Sequence, residues 1–162
     1  MLASIQQADG GYTARFERHL KHSVDQVWSV LTENDRLAEW FPQLRIDELC
    51  EGGLIKFDMQ DGTFKELTIT DLAMHSILGY TWGEDRVRFE LYPEPEGCLL
   101  VLVEQLHKIT GHTSKDLAGW HVCLDVIDAL LSGRATGFRK EEWKTWHEQY
   151  VRILTPLGSA DE

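Results

Sequence analysis

Glu104 is the first residue in this sequence whose surroundings point to chemistry. It follows the apolar run Leu99–Val103 and shares its side-chain parity with Leu100 and Leu102, so we expect it to point inward from a strand. A buried carboxylate is unfavourable without a partner. Glu104 is therefore a candidate hydrogen-bond acceptor or acid/base at a pocket mouth, and the alternative is an exposed glutamate at the end of a strand.

His121 is the second polar candidate. It follows Trp120 on a predicted helix, at the edge of the buried face, and Asp125 lies four residues further on, where the two side chains can pair. His121 is either an imidazole that faces a pocket and is oriented by this carboxylate, or a boundary histidine in a surface pair. The second interpretation is the simpler one, and both leave open whether Glu104 and His121 meet across one pocket.

Aromatic side chains are the third feature that bears on function. Ligand pockets are apolar and concave, with a few polar groups at the edge, but aromatic residues also dominate ordinary cores. Any single aromatic residue here is more simply a core residue, whereas the whole set predicts a cavity. The residues that we predict to contact a ligand are Trp40, Phe41, Phe57, Tyr80, Trp82, Phe89, Leu102, Glu104, Trp120, His121 and Leu124.

Other chemistries have no support in the sequence. The histidines show no metal-ligand spacing, and the nucleophile and nucleotide motifs GxSxG and GxGxxG do not occur. We therefore predict no catalytic residue, no metal and no cofactor. The three cysteines are Cys50, Cys98 and Cys123, an odd and widely spaced set that indicates reduced thiols and a cytoplasmic protein.

The charge excludes two further classes of partner. The 162 residues include 16 Lys and Arg against 27 Asp and Glu, a formal net charge of −11. A surface of this sign repels phosphate backbones and anionic lipid headgroups. We expect no nucleic-acid binding and, since no apolar run approaches the ~18 residues of a membrane span, no membrane insertion.

Periodicity and turn residues predict the elements that position these side chains. After the first strand, Ser23 and Gln26 form a capping box for one helix, and a second short helix covers residues 34–40. Six further strands follow without a helical crossover, so we expect an antiparallel meander that curls. The seven predicted strands are Tyr12–Leu20, Gln43–Leu49, Leu54–Met59, Thr63–Leu72, Ile77–Trp82, Arg86–Tyr92 and Cys98–His107.

Two helices complete the predicted fold. The helix from Thr113 to about Ser132 is apolar on two sides, which predicts contacts with the sheet and with the terminal helix Lys140–Leu154. We predict an α+β fold in which the curved seven-stranded sheet wraps around the long C-terminal helix. A single domain spans residues 12–154, and residues 1–11 and 155–162 are expected to be flexible termini.

The order and spacing of four short motifs resemble a known family. The motifs are Val27–Thr32 with Leu37–Phe41, Glu51–Gly53, Leu78–Trp82, and Gly119-Trp120 with Leu124. Across residues 12–154 the chain resembles the START-like (SRPBCC, helix-grip, birch-pollen-allergen-like) superfamily, and within it the bacterial branch of the family named for the activator of heat-shock-protein-90 ATPase (AHSA-like). The resemblance implies a helix-grip fold with a cavity that often binds a small hydrophobic molecule, and the family name suggests a chaperone partner.

Three functional hypotheses follow. The first is a binding module that holds a small apolar or aromatic molecule, or a lipid, between the sheet and the long helix. The second is an enzyme of cyclase, aromatase or hydrolase type that uses Glu104 and His121 as acid/base groups. The third is a chaperone-interaction module, which predicts a sizeable exposed apolar patch. We expect binding rather than catalysis.

Overall fold

An antiparallel sheet of eight strands forms the body of the protein. The computed structural model describes residues 2–8, 10–134 and 140–157. The strands are β1 Ser4–Ala8, β2 Gly11–Leu20, β3 Leu44–Ile46, β4 Leu54–Asp58, β5 Phe64–Ala73, β6 Ile77–Trp82, β7 Asp85–Glu94 and β8 Gly97–Leu106. Their spatial order is β1-β2-β8-β7-β6-β5-β4-β3, so the meander β3–β8 closes back onto the N-terminal hairpin. The predicted α+β helix-grip class is confirmed.

The sheet has eight strands rather than the seven predicted. Ser4–Ala8, which we expected to belong to a flexible terminus, form β1 and pair with β2 from Ser4↔Arg15 to Ala8↔Gly11. Only Ile5 of this edge strand packs against the core, while its other side chains are exposed, so its sequence lacks the alternation that marks a half-buried strand. The other expected flexible segment, residues 155–162, begins with a 3₁₀ turn at Thr155–Leu157, and its remainder lies outside the described residues.

Two short helices follow β2. Helix α1 spans Val24–Thr32 and has the predicted capping box: Ser23 Oγ accepts the Gln26 N–H at 3.2 Å, and Gln26 Oε1 accepts the Ser23 N–H at 3.0 Å. Helix α2 spans Asn34–Trp40, as predicted. The Trp40 indole N–H donates to the carbonyl of Val30 at 2.8 Å, which fixes α2 against α1.

Turn residues set most strand boundaries. Gly62 adopts φ = +91° in the β4–β5 hairpin, the left-handed conformation that glycine tolerates best.

The strand predicted over residues 43–49 is longer than the one observed, since β3 covers only Leu44–Ile46. Beyond Ile46, the backbone N–H groups of Asp47 and Glu48 both donate to the carbonyl of Leu54 and the regular ladder ends.

The long helix lies between the sheet and the terminal helix. Helix α3 spans Thr113–Leu131 and α4 spans Lys140–Leu154. Both apolar sides of α3 are buried, and α4 packs against it as expected: the Trp146 ring stacks on His121 with centroids 4.0 Å apart, and the Trp143 indole donates to the Lys115 carbonyl at 3.3 Å. This arrangement presents the first half of α3 to β4, β6 and the segment after α2.

Candidate functional site

A cluster of aromatic rings joins α2, the sheet and α3 at one end of the fold. Trp82, at the end of β6, lies 5.0 Å from Trp120 of α3, measured between ring centroids. Phe41 follows α2 and lies 5.9 Å from both of these rings and 5.8 Å from Phe57 of β4. Most of these pairs meet edge to face or tilted, which is the favourable geometry for aromatic rings. The cluster is therefore an ordered wall contributed by four separate elements.

A cavity of about 540 Å³ opens beside this cluster. Its sides are residues 38–43 around the end of α2, Phe57 and Trp82 from the sheet, and one side of α3 from His112 to Val126. This volume lies within the range of small-molecule sites, and the lining is mainly apolar and aromatic, as such sites are. The cavity lies between the sheet and the long helix α3, next to the end of α2.

Gly119 keeps the helical side of the cavity open. It lies in the interior of α3, has no positive φ, and contacts the cavity directly. A Cβ atom added at this position would meet no atom within 4 Å. Glycine in a helix interior is unfavourable by roughly 0.5–1 kcal/mol relative to alanine, and no close packing requires it here. The absence of a side chain at Gly119 therefore leaves space in the cavity beside Trp120.

A second cavity of about 380 Å³ adjoins the first. It lies between the β4–β5 hairpin, the β6–β7 turn and the segment between β8 and α3. Phe57, Trp82, His112 and Asp116 line both cavities. Asp116 is thus the acidic side chain at the junction of the two spaces.

The Asp116 carboxylate is held by the aromatic wall and by the sheet. Its Oδ1 accepts the Trp82 indole N–H at 3.0 Å. On its inner side lies Glu104, which is 0% exposed, so the sequence-predicted inward orientation of Glu104 agrees with the structure. No donor among the described residues reaches either carboxyl oxygen of Glu104, and its polar neighbour is instead the carboxylate of Asp116.

Burial changes the pKa of Glu104. Desolvation raises the pKa of Glu104 well above its ordinary value of 4.5, and the hydrogen bond to Asp116 and the negative charges of Asp116 and Asp85 raise it further. Burial therefore favours the protonated form of Glu104, which places a neutral acid beside the carboxyl group of Asp116. A neutral acid beneath a carboxylate can steady that carboxylate, although Glu104 itself does not line either cavity.

His121 lies elsewhere in the structure. At the ~100° per residue of an α-helix, it is about 140° around α3 from Asp116. It is 1% exposed, and its Nδ1 lies 2.8 Å from the Tyr150 hydroxyl of α4, which also accepts the backbone N–H of Ala3 at 3.0 Å. Burial, together with the positive charge of Arg18, lowers the pKa of His121 from 6.5 to about 3. His121 is a neutral core histidine that joins α3 to α4, and the Tyr150 hydroxyl joins α4 to the N-terminal segment.

The structure does not bring Glu104 and His121 together. Glu104 contacts the Asp116 side of α3, whereas His121 packs against Phe16, Trp146 and Tyr150. His121 is also not the boundary histidine that its sequence position favoured, because α4 covers that side of α3. Its Nε2 still lies 3.9 Å from Asp125.

The predicted site residues separate into two groups. Trp40, Phe41, Phe57, Trp82 and Trp120 line the larger cavity. The others are buried behind it, in the interior or at α4: Tyr80, Phe89, Leu102, Glu104, His121 and Leu124. Strand parity selects the inner face correctly, but the depth of each side chain depends on the packing of Trp82 and Trp120 in front of Tyr80 and Phe89.

Sequence reasoning missed Asp116 and Gly119 as cavity residues. Both residues precede Trp120 on α3, and Asp116 lies one helical turn before it. Because residues four positions apart share a helix face, the predicted cavity position of Trp120 also indicates one for Asp116. Cys123 also lines the cavity, and burial raises the pKa of its thiol to about 12, which leaves it unreactive.

Two kinds of site are not found in the described part of the chain. Among residues 2–8, 10–134 and 140–157, no group of three or more His, Cys, Asp or Glu side chains is arranged to hold a metal ion. Over the same ranges, none of the helices combines the length and the apolar character needed to cross a bilayer.

Comparison with known proteins identifies relatives of this fold. A solved structure of a conserved protein of unknown function from Enterococcus faecalis is 29% identical, with 96% of this chain and 91% of that chain covered and a TM-score of 0.85. CalU16 from Micromonospora echinospora is 19% identical over 94% of this chain and 95% of its own, with a TM-score of 0.73. DynU16, from the dynemicin biosynthetic locus, is 21% identical, with 75% of this chain and 48% of that chain covered and a TM-score of 0.64. The last two similarities show the fold alone.

A family model gives a more specific result. No curated protein matches the sequence. Residues 21–132, however, match the model of the family described as activator of Hsp90 ATPase homolog 1-like protein. Because this match covers more than half of the chain, the protein belongs to the activator of Hsp90 ATPase homolog 1-like family, within the START-like (SRPBCC) superfamily.

Proposed function

We propose that the protein binds a small apolar, aromatic molecule in the cavity between the sheet and α3. The observation that supports this most strongly is the 540 Å³ space beside the rings of Phe41, Trp82 and Trp120, kept open by Gly119. Binding here replaces water around an apolar ligand with aromatic contacts, which contributes roughly 25 cal/mol per Å² of apolar surface removed from water.

The ordered walls of the site support an aromatic ligand over a flexible lipid chain. The rings around the cavity are fixed by contacts with one another, and the Trp40 and Trp82 indoles are further fixed by hydrogen bonds to Val30 and Asp116. A rigid wall of this kind accepts a rigid planar molecule with little loss of side-chain entropy.

The enzyme hypothesis has less support in its original form. It required Glu104 and His121 to open into one cavity, and neither side chain lines either of the two cavities described above.

The chaperone hypothesis required a large apolar patch on the outside of the protein. In the described ranges, the most exposed large apolar side chains lie in four separate places rather than in one patch. Met59 and Phe64 lie at the β4–β5 hairpin, Met74 at the β5–β6 turn, Tyr92 on β7 and Val151 on α4.

Nuclear magnetic resonance tests the proposal. The indole N–H signals of Trp40, Trp82 and Trp120 should shift in a saturable way when the protein is titrated with 1-methoxynaphthalene, an apolar probe without a hydrogen-bond donor. Trp28 serves as an internal control, because it packs beside His75 and lines neither cavity. If the Trp28 signal shifts as much as the others, or no signal saturates, the proposed site is wrong.

A filled-cavity variant provides the matched control. Gly119→Leu places a side chain in the space that the glycine leaves empty while keeping a good helix former in α3. We expect this variant to fold and to lose saturable binding. Unchanged binding in Gly119→Leu would place the probe outside the cavity.

A further inference from the structure

We propose that the natural ligand carries a neutral hydrogen-bond donor, such as an aromatic hydroxyl, which the carboxylate of Asp116 accepts at the junction of the two cavities. This inference rests on the proposed function and names the class of ligand that the site selects. It assigns Asp116 the role of the ligand-orienting group in a site that is otherwise mainly apolar.

The position of Asp116 is the first argument. It lines both cavities, lies one helical turn before Trp120, and is partly exposed, so a ligand packed against the Trp82 and Trp120 rings has the carboxylate at its edge. Trp82 donates to Oδ1 at 3.0 Å and holds the carboxylate in place. A carboxylate has about four acceptor positions, so Trp82 and Glu104 leave capacity for a further donor.

The charge around Asp116 is the second argument. Within the part of the chain that the structure describes, no Lys or Arg forms an ion pair with Asp116, so the donors that it meets are the neutral groups of Trp82 and Glu104. Burial raises the pKa of Glu104 and favours its neutral form, so Glu104 can donate a hydrogen bond to the carboxyl group that faces the cavities. A charge-assisted hydrogen bond from a ligand hydroxyl is about twice as strong as one between neutral groups.

The lining residues also indicate which ligands the site rejects. The larger cavity is lined by three charged side chains: Lys115, Asp116 and Glu39, whose carboxylate is ion-paired with Arg36 at 3.3 Å. In the smaller cavity the acidic residues Glu84, Asp85 and Asp116 outnumber the two lysines, and Asp116 is the acidic side chain common to both linings. Carboxylates and phosphates would meet repulsion from Asp116, so the site favours a neutral hydroxylated aromatic molecule over an anionic one of the same size.

Three naphthalenes of similar size test this inference by equilibrium titration of the full chain. They are 1-naphthol, a donor; 1-methoxynaphthalene, which has no donor; and 1-naphthoate, an anion. We expect wild-type protein to bind 1-naphthol about tenfold more tightly than 1-methoxynaphthalene, since hydrogen bonds to charged groups fall at the strong end of the measured range. 1-Naphthoate should bind more weakly than 1-methoxynaphthalene.

The variant Asp116→Asn assigns the preference to this residue. It keeps the shape of the side chain and removes the charge, so the preference for 1-naphthol should fall to less than about threefold, as expected when a charged acceptor becomes neutral. The preference is the ratio of two Kd values measured on the same protein, so a general change in the cavity affects both values and does not by itself alter the ratio.

Each alternative outcome has a definite meaning. If wild-type protein binds 1-naphthol and 1-methoxynaphthalene equally, or if Asp116→Asn retains the full preference, the inference about Asp116 is wrong and the cavity proposal stands. The wild-type comparison decides this even if the variant fails to fold. If no naphthalene binds wild-type protein, the proposed function and this inference fail together.

Discussion

Replacement of Gly119 by alanine tests whether this position is an empty space or a tightly packed contact. The added methyl group would have no neighbour within 4 Å, and the backbone there is helical, so no strain opposes the substitution. Alanine is better than glycine in a helix interior by roughly 0.5–1 kcal/mol. We therefore expect Gly119→Ala to raise the free energy of unfolding by about this amount, and the Tm by about 1–4 °C for a chain of this size.

Gly133 provides a matched control at the C-terminal end of the same helix. A Cβ atom added at Gly133 would also meet nothing within 4 Å, but this glycine adopts φ = +72°, which alanine tolerates poorly. The same substitution should therefore destabilise the protein by about 1 kcal/mol at Gly133 and stabilise it at Gly119. Urea unfolding followed by far-UV circular dichroism measures both. A destabilised Gly119→Ala would show that the glycine is required for packing, and the argument for a preserved cavity would fail.

Two further changes test the buried polar groups. Tyr150→Phe should lower the free energy of unfolding by about 1–3 kcal/mol, because it leaves the Ala3 N–H buried without its partner and His121 Nδ1 with only the longer 3.5 Å contact to Arg18. Tyr12→Phe, whose hydroxyl makes only a 3.5 Å contact, should cost less than about 0.5 kcal/mol. Equal losses in urea unfolding would contradict this assignment. The raised pKa of Glu104 means that the folded state holds a proton that the unfolded state releases above about pH 4.5, so the stability contributed by this proton is lost as the pH rises through the folded-state pKa. Relative to Glu104→Gln, wild-type stability should therefore fall by up to about 1.4 kcal/mol per pH unit above pH 4.5, and parallel stability curves from pH 5 to 9 would show that Glu104 is not protonated in the fold.

Local sequence signals were sufficient for most of the elements. The bounds of β6, α2 and α4 are as predicted, because alternation, helical periodicity and Pro42 mark them strongly. The N-terminal strand was missed for a physical reason. It pairs with its neighbour β2 through the backbone and packs only Ile5 against the core, so its side chains give no alternating pattern, and the Ala3 hydrogen bond to Tyr150 joins residues 147 positions apart.

The candidate site was less accessible to sequence reasoning. Parity indicated that Glu104 points inward, but its partner Asp116 lies on a helix, and no local pattern relates a strand residue to a helix residue twelve positions later. The environment of His121 likewise depends on α4, whose docking turns a helix-edge position into a buried one. The aromatic set indicated a cavity, whereas the side chains that border it depend on how Trp82 and Trp120 pack.

Intermolecular nuclear Overhauser effects between bound 1-methoxynaphthalene and the protein test the central claim most directly. If the cavity is the binding site, the probe protons should show cross-peaks to the rings of Phe41, Trp82 and Trp120 and to the Gly119 α-protons, which surround the 540 Å³ space. Cross-peaks confined to exposed side chains such as Phe64 or Tyr92 would contradict the account.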